Sequence, residues 1–233
     1  MARRFNLAAI LIAVLCLSGA VWTSMRLTAQ DAPGRRGAEL MYFPSGVLLK
    51  PMALGQPLTL ADLLWLRAIQ YYGEHRLSDN RFPFAGHIFD TITTLDPHFV
   101  EAYLFGGMVL VEEGRDIQRG LALLRRGMAW NPGRWELAFE TGFAYYVAAR
   151  DDAQAARFFA HAADMEGAPE YVIRFAAYVR GRAGDPHKAL ALWEELEQTT
   201  RSPTIRALAQ RKAAAIRAVL EKAALRPPGS TAD

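Results

Sequence analysis

The side chains able to do chemistry are few and scattered. Five histidines stand at 75, 87, 98, 161 and 187. A zinc site would want two or three of them at i, i+3 or i+4 on one helix, or a cysteine partner, and none of these spacings occurs. Glu112-Glu113 and Glu194-Glu195 are adjacent pairs, which point to different sides of a helix and do not converge as a general acid and base. The only cysteine, Cys16, lies in an apolar run, which excludes a disulfide framework, an iron–sulfur cluster and a cysteine-rich zinc site. Gly106-Gly107 lies inside a helical pattern and not in a phosphate-cradling loop, and haem, nucleophile-elbow and P-loop motifs are missing. Arg125-Arg126 and Arg35-Arg36 are short, and 27 Lys+Arg against 24 Asp+Glu is close to balance, so no field for nucleic acid follows. The chemistry of the chain is therefore that of a surface: no enzyme, no cofactor and no metal are expected.

The elements that would present such a surface have to be read from the patterning. With 233 residues, 52% hydrophobic and 22% charged, the chain can bury a core and is not disordered. A basic start, Met1-Ala2-Arg3-Arg4, precedes an uncharged run from Leu7 to Leu17, and Phe5 to Trp22 gives 18 mostly apolar residues. A spanning helix needs roughly 17–25, so residues 1–29 are expected to be a transmembrane signal-anchor. A cleavable secretory signal with a Ser18-Gly19-Ala20 site is the alternative. The expected location is the inner membrane, single-pass, with the C-terminal domain periplasmic; signal cleavage would instead give a secreted or periplasmic protein. Residues 30–57 read as a linker and an extended arm, because prolines 44, 51 and 57 interrupt helix. The arm's Leu, Met, Tyr and Phe content demands packing on something.

Beyond the arm the sequence repeats. Four segments align: FAGHIFDTITTLDP from Phe84, RGLALLRRGMAWNP from Arg119, QAARFFAHAADMEG from Gln154 and KALALWEELEQTTR from Lys188. Ala85, Gly120, Ala155 and Ala189 are spaced 35, 35 and 34 apart. Phe89, Leu124, Phe159 and Trp193 keep the same spacing, as do Ile92, Gly127, Ala162 and Leu196. An earlier helix precedes each segment, with Gly73, Gly107, Gly142 and Ala177 as small residues that would let paired helices approach closely. Gly114-Arg115-Asp116 and Gly184-Asp185-Pro186 mark turns within units, and repeats two and three each carry one extra residue.

This pattern resembles the tetratricopeptide repeat (TPR) family, whose unit is a 34-residue helix–turn–helix. The N-terminal region, with YFPSG and LADLLWLRAIQYYGEH, is similar to that of bacterial membrane-anchored members. The resemblance implies an all-α, right-handed α-solenoid of about four helical hairpins over 58–201 (58–97, 98–132, 133–167 and 168–201). A capping helix at 202–225, a flexible tail at 226–233 and the N-terminal transmembrane helix complete the expectation. In this family the first helix of each pair lines a concave groove. Carried over, the groove positions are Arg67, Gln70 and Glu74; Leu104, Met108 and Val111; Phe139, Phe143 and Tyr146; and Tyr171, Arg174 and Tyr178. The family's carboxylate clamp needs Lys, Asn and Arg at these places, and only scattered arginines stand here.

An apolar-aromatic groove implies a protein or peptide partner, with membrane contact through the N-terminal helix and no nucleic acid. Two occupants of the groove remain open, an external ligand and the arm at 38–57. The function expected is a membrane-anchored interaction scaffold or adaptor. The alternative is a permanent accessory or assembly subunit of a bacterial envelope complex, such as pilus, secretion or respiratory machinery.

Overall fold

The computed structural model describes residues 44–225 together with Ser18, Gly19 and Trp22, which are helical. The chain divides into two units, Met1–Phe43 and Pro44–Asp233. Apart from those three positions, the expected membrane segment at 1–29, the linker and arm as far as residue 43, and the tail at 226–233 lie outside the described residues. Among the described residues no helix is long and apolar enough to cross a membrane.

Every regular element described in the second unit is a helix: α1 (Gly46–Met52), α2 (Pro57–Arg76), α3 (Ala85–Leu95), α4 (Val100–Met108), α5 (Ile117–Trp130), α6 (Trp135–Ala144), α7 (Asp152–Ala163), α8 (Glu170–Arg182), α9 (Pro186–Thr199) and α10 (Pro203–Ala224). From α2 onward each helix packs on its neighbours in chain order, so α2–α3, α4–α5, α6–α7 and α8–α9 are hairpins stacked in series and α10 covers the last. Such an array buries on each hairpin the face that its neighbour leaves bare. The three repeating columns are the seam: Ala85, Ala155, Ala189, Phe89, Leu124, Phe159, Trp193, Ile92, Ala162 and Leu196 are all buried, as are Gly120 and Gly127.

Small residues set how closely the helices cross. A Cβ on Gly107 would lie 2.7 Å from Leu124 Cγ, one on Gly142 2.9 Å from Phe159 Cδ1, and one on Gly127 2.8 Å from Tyr103 Cγ. Gly73 departs from this column: nothing lies within 4 Å of its Cβ position.

The turns explain the extra residue in repeats two and three. Asp116, Asp151 and Asp185 each cap the second helix of a pair by accepting from the backbone N–H three residues on, at 3.1, 2.9 and 3.2 Å. In repeat four the N–H of Asp185 reaches the carbonyl of Arg180, five residues back. In repeats two and three Asp116 and Asp151 reach Leu110 and Tyr145, six residues back. The additional residue is absorbed by π-helical turns, Val109–Glu113 and Tyr145–Ala149, that prolong α4 and α6. Arg115 and Arg150 then take positive φ, 54° and 56°, to reverse the chain.

The arm corrects one expectation. Instead of running extended, its described part forms the seven-residue helix α1 with Pro51 inside it. Proline so near the end of a short helix removes a single interior hydrogen bond and leaves the first turn, held by Leu48 and Leu49 N–H on Ser45 O, intact. This helix packs on α3, and a Cβ on Gly46 would lie 2.6 Å from Thr94 Cβ and 2.8 Å from the Thr91 carbonyl oxygen. A backbone oxygen cannot step aside. Gly46→Ala is therefore expected to release α1 from α3: hydrogen exchange at Leu48 and Leu49 should accelerate at least tenfold while exchange in α5–α9 stays unchanged. Equal protection in both chains would contradict this packing.

Candidate functional site

The first helices of the four hairpins, α2, α4, α6 and α8, carry the expected groove positions. Two columns recur at 35-residue spacing, Leu104–Phe139–Arg174 and Met108–Phe143–Tyr178. All six are half-buried except Tyr178, which is 46% exposed; Tyr171 beside them is 38% exposed. Phe139 is the hub. Its ring lies 5.5 Å from Tyr171, 5.4 Å from Phe175, 5.2 Å from Phe159 and 6.4 Å from both Phe143 and Trp135. These are edge-on, tilted or stacked distances at which rings attract, so Phe139 ties α6 to α7 and α8 while its outer edge remains on the surface.

Next to this set, Arg182 Nη1 donates to the Tyr146 hydroxyl at 3.5 Å, and its guanidinium sits 5.4 Å from that ring's centre. Arg182 Nε donates to Asp152 at 3.0 Å. The hydrogen bond from Arg182, then that from Tyr146, holds the Tyr178 phenol below its ordinary range. Thus Phe139, Phe143, Tyr146, Tyr171, Arg174 and Tyr178 form one continuous patch across α6 and α8. Arg67, Gln70 and Glu74 lie on α2, two hairpins away, as a polar stretch in which Arg67 donates to Gln70 at 3.2 Å.

Val111 is a correction. It is buried, and a Cβ on Gly120 would lie 2.5 Å from its Cγ2. The π-helical turn that begins at Val109 re-aims this residue into the α4–α5 hairpin. The arm's described part also stands elsewhere than the groove: α1 packs on α3, a second helix, and the aromatic patch belongs to first helices.

A further column, Phe105–Glu140–Phe175 at 35-residue spacing, carries features that the groove positions alone omit. Phe105 stands 5.6 Å from Trp65, 5.0 Å from Tyr72 and 5.9 Å from Phe89. Phe175 stands 5.6 Å from Phe159. Glu140 takes the same place one hairpin earlier. Burial, with the charge of Glu112 adding to it, pushes its carboxyl up to about 7. The spacing itself was the signal, one residue beyond the column of Leu104.

Several other titratable groups fasten helices together. Glu113 pairs with Arg76 at 3.6 Å and Glu194 with Arg217 at 2.7 Å. Asp90 receives Arg119 and Arg126 at 3.0 and 2.9 Å, fastening α3 to α5. Arg125 donates to the Tyr145 hydroxyl. His98 Nδ1 lies 3.2 Å from Asn131 Oδ1, and His75 Nδ1 lies 2.7 Å from Asp79, holding that carboxyl below its usual range. Among the described residues no group of His, Cys, Asp and Glu could hold a metal ion.

Four stacked hairpins on a 34–35 residue period, with the second helices of the last three capped by Asp116, Asp151 and Asp185, decide the architecture. The chain is an array of helical-hairpin repeats. No family model and no curated protein matches it. Among solved structures, it is similar to TTC0263, a thermophilic TPR protein of Thermus thermophilus, at 20% identity and a TM-score of 0.43, covering 72% of this chain and 94% of that one. It is also similar to a MamA RS-1 ArsTM double mutant, at 18% identity and a TM-score of 0.41, covering 73% and 99%. The aromatic patch lies on the first helices of the third and fourth hairpins.

Proposed function

We propose that this chain is a membrane-anchored interaction scaffold that holds a protein or peptide on the first-helix face of repeats three and four. One observation carries the reading: the ring system centred on Phe139 reaches the surface through Tyr171, with Phe143 beside it and the exposed Tyr178 on the same helix α8. Rigid aromatic side chains fixed by packing lose little entropy on binding and supply the contact area that dominates interfaces. Binding of this kind needs no convergent titratable set, which agrees with charged side chains engaged in fastening helices. The apolar run Phe5–Trp22 supplies the anchor, in the inner membrane with the repeats in the periplasm, and concentrates the scaffold where envelope partners lie.

The test uses the full chain, extracted from membranes and cross-linked to its partners. Phe139 and Phe143 are poor probes because they also hold α6 to α8. Tyr171→Ser with Tyr178→Ser removes exposed rings instead. Partner recovery per folded chain should fall at least tenfold, about the loss expected when an aromatic hot spot is truncated. Tyr178→Ser alone, which leaves the contacts of Tyr171 with Phe139 and Trp135 in place, should lower it with the melting temperature unchanged. The same partners at undiminished yield would overturn the assignment of this face.

A further inference from the structure

Two junctions between repeats share a construction that the last one lacks. In them a second helix sets a buried ring under two successive first helices and a phenylalanine of the following first helix closes over it, while the middle junction has Leu124 and Glu140 at these positions. Phe105 closes over Phe89 at 5.9 Å, and Phe175 closes over Phe159 at 5.6 Å. At the last junction the ring is Trp193 and the residue 34 after Phe175 is Ala209. Its methyl leaves space, and a cleft of about 380 Å³ opens between α8 and α10, lined by Arg174, Phe175, Tyr178, Trp193, Leu208 and Lys212. This volume is at the lower end of ligand clefts, roughly 300–1,000 Å³, and suits one or two side chains.

The lining carries two cations and no acid. Arg174 Nε is buried without a hydrogen-bond partner. Among the described residues neither Arg174 nor Lys212 has an ion pair. The α9 acids that face α10 are already engaged: Glu194 takes Arg217 at 2.7 Å and Glu197 takes Gln210 at 3.0 Å. The neighbouring Arg182 is matched by Asp152 at 3.0 Å. An apolar floor with an unmatched buried donor and a second cation at its side is complementary to an anion attached to an apolar group.

We propose that this cleft is the subsite at which the scaffold reads an acidic–apolar segment of its peptide partner. A leucine- or phenylalanine-sized side chain rests on Trp193 and Leu208, and the carboxylate of an adjacent Asp or Glu meets Arg174 and Lys212. The inference rests on the reading of the first-helix face as a peptide surface, and it adds the chemistry that the partner must present at the α10 end.

Three blocked peptides probe it: Ac-Gly-Phe-Asp-Gly-NH2, the same peptide with Asn for Asp, and the same with Ala for Phe. They are titrated into the full chain in detergent with 15N-labelled tryptophan, whose five indole signals are assigned by Trp193→Phe. The Trp193 signal should move saturably with the Phe-Asp peptide, and the other two should bind about fivefold weaker, as loss of a partly exposed charge contact or of the apolar contact implies. In Lys212→Gln, with an unchanged melting temperature, the advantage of Asp over Asn should shrink to about twofold or less. A Trp193 signal that stays still, or equal binding of the Asp and Asn peptides, overturns the subsite. If that happens while Tyr171→Ser/Tyr178→Ser still abolishes partner recovery, the subsite alone is wrong; if the tyrosine variant also binds normally, the reading of the whole face fails.

Discussion

Replacing Phe159 by alanine is expected to cost about 3–5 kcal/mol of folding stability, the range for deleting a fully buried phenylalanine whose surroundings cannot collapse. Phe159 is completely buried on α7. Phe139 lies 5.2 Å away on α6 and Phe175 5.6 Å away on α8, and Gly142 sits so close that its missing Cβ would be 2.9 Å from the ring. The ring thus mediates both the contact inside the third hairpin and the contact between the third and fourth. In a linear array, stability is close to a sum of units and nearest-neighbour interfaces, so damage to one interface should also uncouple its two sides. Urea unfolding followed by circular dichroism should show the midpoint falling and the transition broadening, with α8–α10 melting separately from the earlier repeats. Phe159→Leu refills most of the space and should recover more than half of the loss. An unchanged midpoint for the alanine variant would mean that the ring column is not the seam of the stack.

That seam was legible because each position in it obeys one requirement. Ala85, Gly120, Ala155 and Ala189 must be small where two helices touch, and the residue four places on must be bulky to fill the gap beside them. Such rules leave a period in the sequence. The extra residue of repeats two and three was legible too, but its consequence was not. An insertion can loop out of a turn or be wound into the helix, and only the coordinates show the π-helical turns that bury Val111. The arm departs from expectation for a related reason: proline excludes a long helix yet tolerates a short one, and Pro51 sits where a single bond is lost. Gly73 belonged to the column by spacing alone, since nothing lies within 4 Å of its Cβ position. The face was half legible. Aromatic residues at 139, 143, 171 and 178 announce a surface, but which of them also serve as cement depends on contacts between α6, α7 and α8. The last-junction cleft was illegible in composition, since it arises from one alanine standing where two other repeats place phenylalanine.

The column that holds those phenylalanines also holds Glu140, and this predicts an inverted pH response. Its carboxyl is pushed up to about 7 by burial first and by the Glu112 charge second, against about 4.3 in an unfolded chain. Below the unfolded value the group is protonated in both states and costs nothing. As pH rises through 7 the folded chain must ionise a carboxyl enclosed by protein, so stability is lost between about pH 4.5 and 7 and stays lost above. Glu140→Gln keeps the shape and removes the charge. The variant should exceed the wild type by about 1 kcal/mol at pH 5 and by about 3–4 kcal/mol at pH 8, so its advantage grows by about 2–3 kcal/mol between the two. Paired urea titrations at the two pH values measure it, and groups common to both chains cancel in the difference. Glu112→Gln should give a smaller gain in the same direction, because it removes the second cause and leaves the first. A variant that gains nothing between pH 5 and pH 8 would place Glu140 in water and contradict its burial on α6.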